Sequence, residues 1–221
     1  VEFFQVFVKN ADELPVPVAV ICGYLVSLAL LARWAIESVA HRRRVGRLQY
    51  RIHVNGIRGK STVTRIIAGM LREADIVTIG KATGTEAVVI NRDGVDEVIN
   101  RKAAPTILEQ IEVAKEYVDS TVNALVIECM ALRPQYQDVS ERMIVRSNIG
   151  VLTNVREDHQ DVMGETLPEI ARSLLNTCPY GGILVTAERN PDITPIIEEV
   201  AAARGTTVVY ADPESVTDTD I

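Results

Sequence analysis

The chain has 221 residues, enough for one domain of ordinary size with an additional segment, or for two small domains. Hydrophobic residues make up 47% and charged residues 24% of it, a composition that supports a packed core and argues against wholesale disorder. Its net charge of −7 argues against a general nucleic-acid-binding protein, so we expect no nucleic acid among its partners.

An apolar stretch near the start of the chain predicts a membrane anchor. No charged side chain occurs from Leu14 to Ala32, about 19 residues, and roughly 20 residues cross a bilayer as a helix. Several arginines follow this stretch, whereas only Lys9 is basic before it. By the positive-inside rule, we predict a single-pass helix in the cell membrane, with the rest of the chain in the cytoplasm. The three cysteines, which form no close pair, agree with such a reducing compartment.

We therefore assign residues 1–48 to a membrane anchor with a basic juxtamembrane segment that contacts lipid. The alternative is a buried core helix of a soluble domain, but the basic flank argues against it. The remaining residues, 49–221, are assigned to one further domain.

That domain alternates strand and helix patterns. Strands are predicted at 51–55, 76–80, 124–128, 149–153, 182–186 and 207–211, a hairpin at 87–100 that turns at Asp93-Gly94, and helices at 61–74, 106–119, near 166–177 and near 191–203. Apolar, β-branched strands separated by helices predict an α/β fold with a mostly parallel sheet and helices on both faces. Ligands of such sheets bind at the carboxyl ends of the strands, so we expect the chemistry just after Asn55, Ile127 and Thr153.

The first of these strand ends carries a glycine-rich loop, Gly56-Ile57-Arg58-Gly59-Lys60-Ser61-Thr62. Backbone N–H groups that lead into a helix form an anion site, and Lys60 would reach the β- and γ-phosphates of a nucleotide. The hydroxyl of Ser61 or of Thr62 would bind Mg²⁺. The usual phosphate loop has a glycine where this chain has Val54, which leaves a glycine turn with a solvated lysine as the alternative. The strand–loop–helix context favours the phosphate site.

The other two strand ends carry acidic and imidazole side chains. Glu128 ends an apolar strand and could hold Mg²⁺ directly or through water, although an acid at such a place is often merely solvated. The third strand end brings Asn154, Asp158, His159 and Asp161 into one short loop, which indicates a metal or catalytic site. Either aspartate could orient the imidazole as a hydrogen-bond acceptor.

Together the three motifs resemble the Mur ligase family of ATP-dependent amide ligases, which includes cell-wall peptide ligases and folylpolyglutamate synthases. That family shortens the phosphate loop to Gly-x-x-Gly-Lys-Ser/Thr-Thr, and its remaining motifs match Glu128 and the stretch from Asn154 to Asp161. The resemblance implies a P-loop fold, ATP and Mg²⁺ as cofactors, and a catalytic set of Lys60, Glu128 and His159. It implies metal ligation by Ser61, Glu128 and His159, the latter two on a second Mg²⁺, and nucleotide contacts from Gly56, Arg58, Gly59, Lys60, Ser61, Thr62 and Asn154.

Within that family, the stretches GKATGTEA from Gly80, ECMA from Glu128 and NVREDHQDVMG from Asn154 are most similar to the ligase subunits of poly-γ-glutamate synthases. This resemblance implies an ADP-forming ligase that joins glutamate through γ-linkages, by way of an acyl phosphate, to a growing poly-γ-glutamate of the capsule type. It implies small integral-membrane synthase subunits as partners, and it is compatible with a homo-oligomer. It also implies an acceptor site lined by Thr83, Gly84 and Thr85.

Two departures from the family pattern stand out. Typical Mur ligases carry a carbamylated lysine beyond the histidine, but residues 165–182 contain no lysine. The family also has a C-terminal domain that closes over the nucleotide, for which 221 residues leave little room. We therefore expect either that partners replace this domain or that the natural protein extends beyond the ends of the chain.

A second class of function remains open at this stage. A membrane-anchored P-loop NTPase that acts as a conformational switch in transport or assembly would share Lys60, Ser61 and Glu128, but it would not need the motif around His159. Three further alternatives are an inactive anchoring subunit, a cell-wall ligase and a folate ligase. The apolar segment argues against both of these ligases.

Overall fold

The computed structural model describes residues 16–84, 86–101 and 104–212, and it divides the chain into two compact units, residues 1–42 and 43–221. The first unit is described from residue 16 as part of helix α1 (Val16–Gly46). From Val18 to Gly46 this helix is 29 residues long with a mean hydropathy of 1.9, so its length and composition suit either a membrane span or a signal sequence. The domain boundary predicted after residue 48 stays a prediction.

The second unit is built on one eight-stranded sheet. Its strands are β1 (Tyr50–Asn55), β2 (Thr78–Ala82), β3 (Val88–Ile90), β4 (Asp96–Val98), β5 (Ala124–Glu128), β6 (Ile149–Leu152), β7 (Ile183–Thr186) and β8 (Thr207–Tyr210). They lie in the order β4-β3-β2-β5-β1-β6-β7-β8. Among the strands of the described residues, only the β2–β3 and β3–β4 pairs are antiparallel, which confirms the predicted mostly parallel sheet.

Helices connect these strands. They are α2 (Lys60–Glu73), α3 (Glu109–Tyr117), α4 (Pro134–Val139) with a π-helical continuation (Ser140–Val145), α5 (Gln160–Met163), α6 (Leu167–Leu174) with a 3₁₀ turn (Leu175–Thr177), and α7 (Thr194–Ala203). Alternate residues of β5 show that both faces are covered: Val126 packs with Ala68 of α2, whereas Leu125 and Ile127 pack with Val113 of α3. The predicted α/β fold with helices on both faces is therefore confirmed.

Two helical predictions need correction. The helix expected from Thr106 begins at Glu109, because the Thr106 carbonyl accepts the Glu109 N–H in a tight turn (3.1 Å) before the helix starts. The segment Pro134–Val145, for which we predicted no element, is helical throughout. By contrast, the hairpin turns where expected, with Gly94 at φ +81°.

Candidate active site

The glycine-rich loop joins the end of β1 to the start of α2 and approaches the end of β6 closely. Gly56 has φ +134°, and a Cβ atom placed on it would lie 2.1 Å from Oγ1 of Thr153. Gly59 precedes α2 with φ +81°, a left-handed conformation that glycine adopts without strain. The loop therefore requires glycine at 56 for space as well as for backbone geometry, and at 59 for geometry alone.

Lys60 folds back over this loop. Its Nζ donates hydrogen bonds to the carbonyls of Gly56 (2.8 Å) and Ile57 (3.4 Å). The half-buried ammonium group thus lies beside the backbone at the N-terminus of α2, where the helix dipole also favours an anion. This arrangement is compatible with a phosphate-binding loop.

Glu128, at the end of β5, joins the loop to the end of β2. One of its oxygens, Oε2, accepts hydrogen bonds from the Ser61 hydroxyl (2.8 Å) and from the Thr83 backbone N–H (2.6 Å). The carboxylate is only 4% exposed. Between the two hydroxyls considered from the sequence, Ser61 is the one beside this carboxylate, whereas Thr62 is exposed on α2.

The donor set at this point fits Mg²⁺. A serine hydroxyl and a carboxylate are hard oxygen ligands, and Mg²⁺ commonly takes one or two carboxylates together with waters and substrate phosphates. Among the described residues, no group of three or more His, Cys, Asp or Glu side chains is arranged around a common metal position. The residues therefore suit a metal shared with a phosphate ligand rather than one enclosed by protein.

Asn154, after β6, fixes the loop from the third strand end. Its Oδ1 accepts the Arg58 N–H (3.1 Å) and its Nδ2 donates to the Arg58 carbonyl (2.9 Å). The Thr153 hydroxyl donates to the same carbonyl (2.8 Å). The Arg58 guanidinium reaches Asp158 at 2.7 Å. These contacts hold the loop against the end of β6.

His159 has a left-handed backbone conformation, which is uncommon for residues other than glycine. It has φ +50° at the start of α5, held by a hydrogen bond from its N–H to Asp158 Oδ1 (2.9 Å), and its side chain is 44% exposed. Its ring Nδ1 lies 3.9 Å from Asp158 Oδ1, beyond hydrogen-bond distance, so Asp158 pairs with Arg58 rather than with the imidazole. Left-handed non-glycine residues concentrate at functional sites, which agrees with a ligand role for His159.

The three strand ends surround one cleft of about 430 Å³. Eight of the residues predicted from the sequence line it: Gly56, Arg58, Lys60, Ser61, Thr83, Gly84, Glu128 and His159. Gly59, Thr62 and Asn154 do not line it, and Thr85 lies outside the described residues. The first and second strand ends are in direct contact through Ser61 and Glu128, and the third is joined to the loop through Asn154.

A buried charge cluster beside this cleft was not predicted. Lys81 is fully buried and meets Glu109 Oε1 at 2.8 Å, while Arg101, which lines the cleft, binds both oxygens of Glu109 (2.6 and 3.0 Å). Burial lowers the pKa of Lys81 despite this partner. Burial would raise the pKa of Glu109, but hydrogen bonds from Arg101 and Lys81 outweigh it and lower that pKa. The sequence carries little signal of it, because the strand was predicted at 76–80 and Lys81 falls within it only in the structure, where it runs from Thr78 to Ala82.

Two further polar pairs, also not predicted, hold β1 against the segment Pro134–Val145. The amide of Asn55 donates to Gln137 Oε1 (2.9 Å), and His53 Nδ1 lies 2.8 Å from Glu141 Oε2. All four side chains are buried. They fix the strand that carries the phosphate loop.

Comparisons with known proteins agree with this geometry. A family model described as the Mur ligase middle domain matches residues 54–219. The capsule biosynthesis protein CapB of Bacillus anthracis is 44% identical over 178 residues, which are 80% of this chain and 38% of that protein. The PGA synthase CapB of Bacillus subtilis (strain 168) is 45% identical over 185 residues, 83% of this chain and 47% of that protein. The chain thus spans less than half the length of either relative.

Solved structures share the fold at lower identity. E. coli FolC in complex with DHPP and ADP matches with a TM-score of 0.55 and 18% identity, over 82% of this chain and 48% of that one. An FPGS-AMPPCP-folate complex matches with a TM-score of 0.54 and 20% identity, over 80% and 49%. At these identities the likeness establishes the fold and nothing further.

Proposed function

The chain belongs to the Mur ligase family, and on that premise we propose that it carries the ATP-binding part of an ADP-forming amide ligase that polymerises glutamate through γ-linkages. The observation that carries the proposal is the contact of Glu128 with both the Ser61 hydroxyl and the Thr83 N–H, since it joins a phosphate loop to the predicted acceptor residues at one carboxylate. The two relatives at 44% and 45% identity, named for capsule biosynthesis and PGA synthesis, support glutamate as the substrate.

The nucleotide would lie on the loop between β1 and α2. Its phosphates would accept hydrogen bonds from the loop N–H groups and from Lys60, whose ammonium already lies over the loop. Ser61 would hold one Mg²⁺, and Glu128, which lies beside it, would hold a second such ion together with His159. When bound, the metal would neutralise phosphate charge and so reduce the repulsion between the nucleotide and an anionic acceptor.

The acceptor carboxylate of the growing chain would enter beside Thr83 and Gly84. Lys81 and Arg101 outnumber Glu109 by one positive charge next to this part of the cleft, which favours an anionic substrate there. A carboxylate oxygen would attack the γ-phosphorus, the bond to the bridging oxygen would break, and ADP would leave an acyl phosphate behind. The amine of the next glutamate would then attack the acyl carbon, lose a proton and release phosphate.

We also propose that α1 anchors the chain in the cell membrane, with residues 43–221 in the cytoplasm and contacts to lipid, to small integral-membrane synthase subunits and, in a homo-oligomer, to further copies of the chain. Arg43 and Arg44 in the last turn of α1 support this orientation. In spheroplasts, protease should spare residues 43–221 until the membrane is permeabilised. Digestion of intact spheroplasts would contradict the orientation.

The ligase proposal is tested with membranes that contain the protein and its partner subunits, supplied with ATP and Mg²⁺. Phosphate, ADP and AMP release are followed with and without glutamate in the wild type, in Lys60→Ala and in the surface control Lys115→Ala. We expect glutamate-dependent release of ADP and phosphate, matched by γ-linked product, in the wild type and the control but not in Lys60→Ala.

Other outcomes would redirect the assignment. Release that is indifferent to glutamate would contradict a ligase and favour the NTPase switch, while AMP and pyrophosphate would mean an adenylate intermediate. Unchanged product in Lys60→Ala would favour an inactive anchoring subunit.

A further inference from the structure

A second cleft, also of about 430 Å³, lies at the opposite edge of the sheet from the candidate active site. Arg51 at the start of β1, Asn148 just before β6 and Gly181 just before β7 all line it. Because β1, β6 and β7 are parallel, these residues meet at the amino ends of the strands. The volume lies within the range of small-molecule binding sites.

Three arginines line this cleft, Arg51, Arg142 and Arg146, together with a single acid, Glu141. Glu141 compensates their charge only in part. Its Oε2 is bound to His53 (2.8 Å), and its Oε1 accepts the N–H and the hydroxyl of Ser147 (2.8 and 2.9 Å). Burial acts to lower the pKa of His53, but its contacts with Cys129 and Glu141 outweigh this and raise the pKa to about 9. At neutral pH the imidazolium therefore neutralises Glu141.

Arg51 is held rigidly without a carboxylate partner. Its Nε donates to the Arg146 carbonyl (2.7 Å) and its Nη1 to the Leu48 carbonyl (2.8 Å), so three of its five N–H groups remain available. Burial and the charge of Arg146 lower its pKa, and together they outweigh the charge of Glu141, which acts to raise it.

Arg146 brings the second uncompensated charge. It has φ +51°, with its N–H bound to the Glu141 carbonyl (2.7 Å), and its carbonyl is the acceptor for Arg51. In the part of the chain that the structure describes, its guanidinium pairs with no carboxylate. Arg142, by comparison, has Asp138 at 3.3 Å.

The balance of donors and acceptors restricts the ligand. Apart from Tyr180, whose hydroxyl can donate or accept, the free side-chain groups that line the cleft are N–H donors of its arginines, whereas the oxygens of Glu141 and the amide of Asn148 already have partners. A cation would be repelled, and a neutral polyol would need acceptors as well as donors. Guanidinium groups bind carboxylate and phosphate oxygens in a bidentate manner, and two of them match two negative charges.

We propose that this cleft binds a ligand that carries two negative charges on phosphate or carboxylate oxygens, with Arg51 and Arg146 as its main donors. The site is separate from the nucleotide cleft, and it does not depend on the ligase assignment.

The test measures binding to the full chain in nanodiscs of zwitterionic lipid, with inorganic phosphate and with γ-glutamylglutamate as probes. It is done in a Lys60→Ala background, which weakens any phosphate binding at the loop. In that background, Arg146→Met is compared with Lys115→Met, which removes an exposed positive charge on α3. Because the Arg146 side chain makes no ion pair, its loss should leave the unfolding midpoint unchanged. Arg142→Met, on an exposed side chain that also lines the cleft, is a second variant.

We expect at least one probe to bind, with an affinity about tenfold lower in Arg146→Met and unchanged in Lys115→Met. The probe that binds with the higher affinity then shows whether the two negative charges of the ligand belong to a phosphate or to a pair of carboxylates. The proposal is overturned if neither probe binds, or if Arg146→Met and Lys115→Met weaken binding equally. Binding only to vesicles of anionic lipid would also overturn it, since the surface would then be a membrane contact. If the probe still binds in the Lys60→Ala background, its binding does not require the phosphate loop. The present proposal then holds even if the ligase proposal fails.

Discussion

Replacing Gly56 with alanine tests the close approach on which the candidate active site depends. The new Cβ would lie 2.1 Å from Thr153 Oγ1 and 3.1 Å from both the N and the O of Asn154, at φ +134°. The contact with Oγ1 is below 3 Å and forces the two atoms apart, while the two contacts with the Asn154 backbone are tight and cannot be relieved by rotating a side chain. The loop must therefore move away from β6, which pulls Arg58 from Asn154 and displaces Lys60.

The cost has two contributions. The backbone conformation is essentially restricted to glycine, at about 1–3 kcal/mol for another residue. Overpacking against the end of β6 adds about 1–3 kcal/mol. We therefore expect Gly56→Ala to lower the free energy of unfolding by about 2–6 kcal/mol and to abolish measurable nucleotide binding. A matched control is Gly205→Ala, because Gly205 also has positive φ (+64°) but open space around its Cβ position. It should lose only about 1 kcal/mol.

The assay is urea-induced unfolding of both variants, together with nucleotide binding by calorimetry. Adding Thr153→Ala to Gly56→Ala removes the nearest clashing atom and should recover part of the stability. If Gly56→Ala matches Gly205→Ala in stability and still binds nucleotide, then the loop does not contact β6 as described and the account of the site is wrong.

Three further predictions concern buried carboxylates. Glu128→Gln keeps the shape but removes the charge, so glutamate-dependent turnover should fall about a hundredfold or more at every Mg²⁺ concentration, with an unfolding midpoint close to that of the wild type; normal turnover would contradict the metal role. The pKa of His53, about 9 against an ordinary 6.5, corresponds to about 3 kcal/mol of stability that is present below pH 6.5 and lost as the pH rises through 9. Urea unfolding across this range measures it, and in Glu141→Gln the dependence should become smaller, since only the contact with Cys129 then raises the pKa. Glu109→Gln leaves Lys81 buried without this counter-charge and should lower the free energy of unfolding by about 3–5 kcal/mol at pH 7. The loss should be smaller at pH 10, because Lys81 can then lose its proton and become neutral. An equal loss at both pH values would contradict this reasoning.

The phosphate loop and the strands could be predicted because their signals are local. A strand, a glycine-rich turn and a helix follow one another from Tyr50 to Glu73, and each is encoded by its own residues. The order of the strands was not predictable in this way, since β5 lies between β1 and β2 through contacts that are distant along the chain. The Lys81–Glu109 pair shows the same limit, because its members are 28 positions apart and belong to different elements.

The helical segment Pro134–Val145 was missed for a different reason. Its buried positions include Gln137, Ser140 and Glu141, each at most 1% exposed, so the apolar stripe that reveals a surface helix is interrupted. Each of these polar groups has a partner in the interior, and Ser140, for example, donates to Gln110 at 2.7 Å. A buried helix face whose polar groups are all hydrogen-bonded therefore has the same polar sequence pattern as a face that is exposed to solvent.

The same polar residues determine where this segment lies on the sheet. His53 and Asn55 are two positions apart on β1, so they point to the same face at a spacing of about 6.7 Å. Glu141 and Gln137 are four positions apart, about one helical turn and 6 Å. Since His53 pairs with Glu141 and Asn55 with Gln137, the segment runs antiparallel to β1, and both pairs form together because the two spacings nearly agree. A slip of the segment by one residue would break both pairs at once and leave the buried atoms that form them without these partners, which makes this register more favourable than its neighbours.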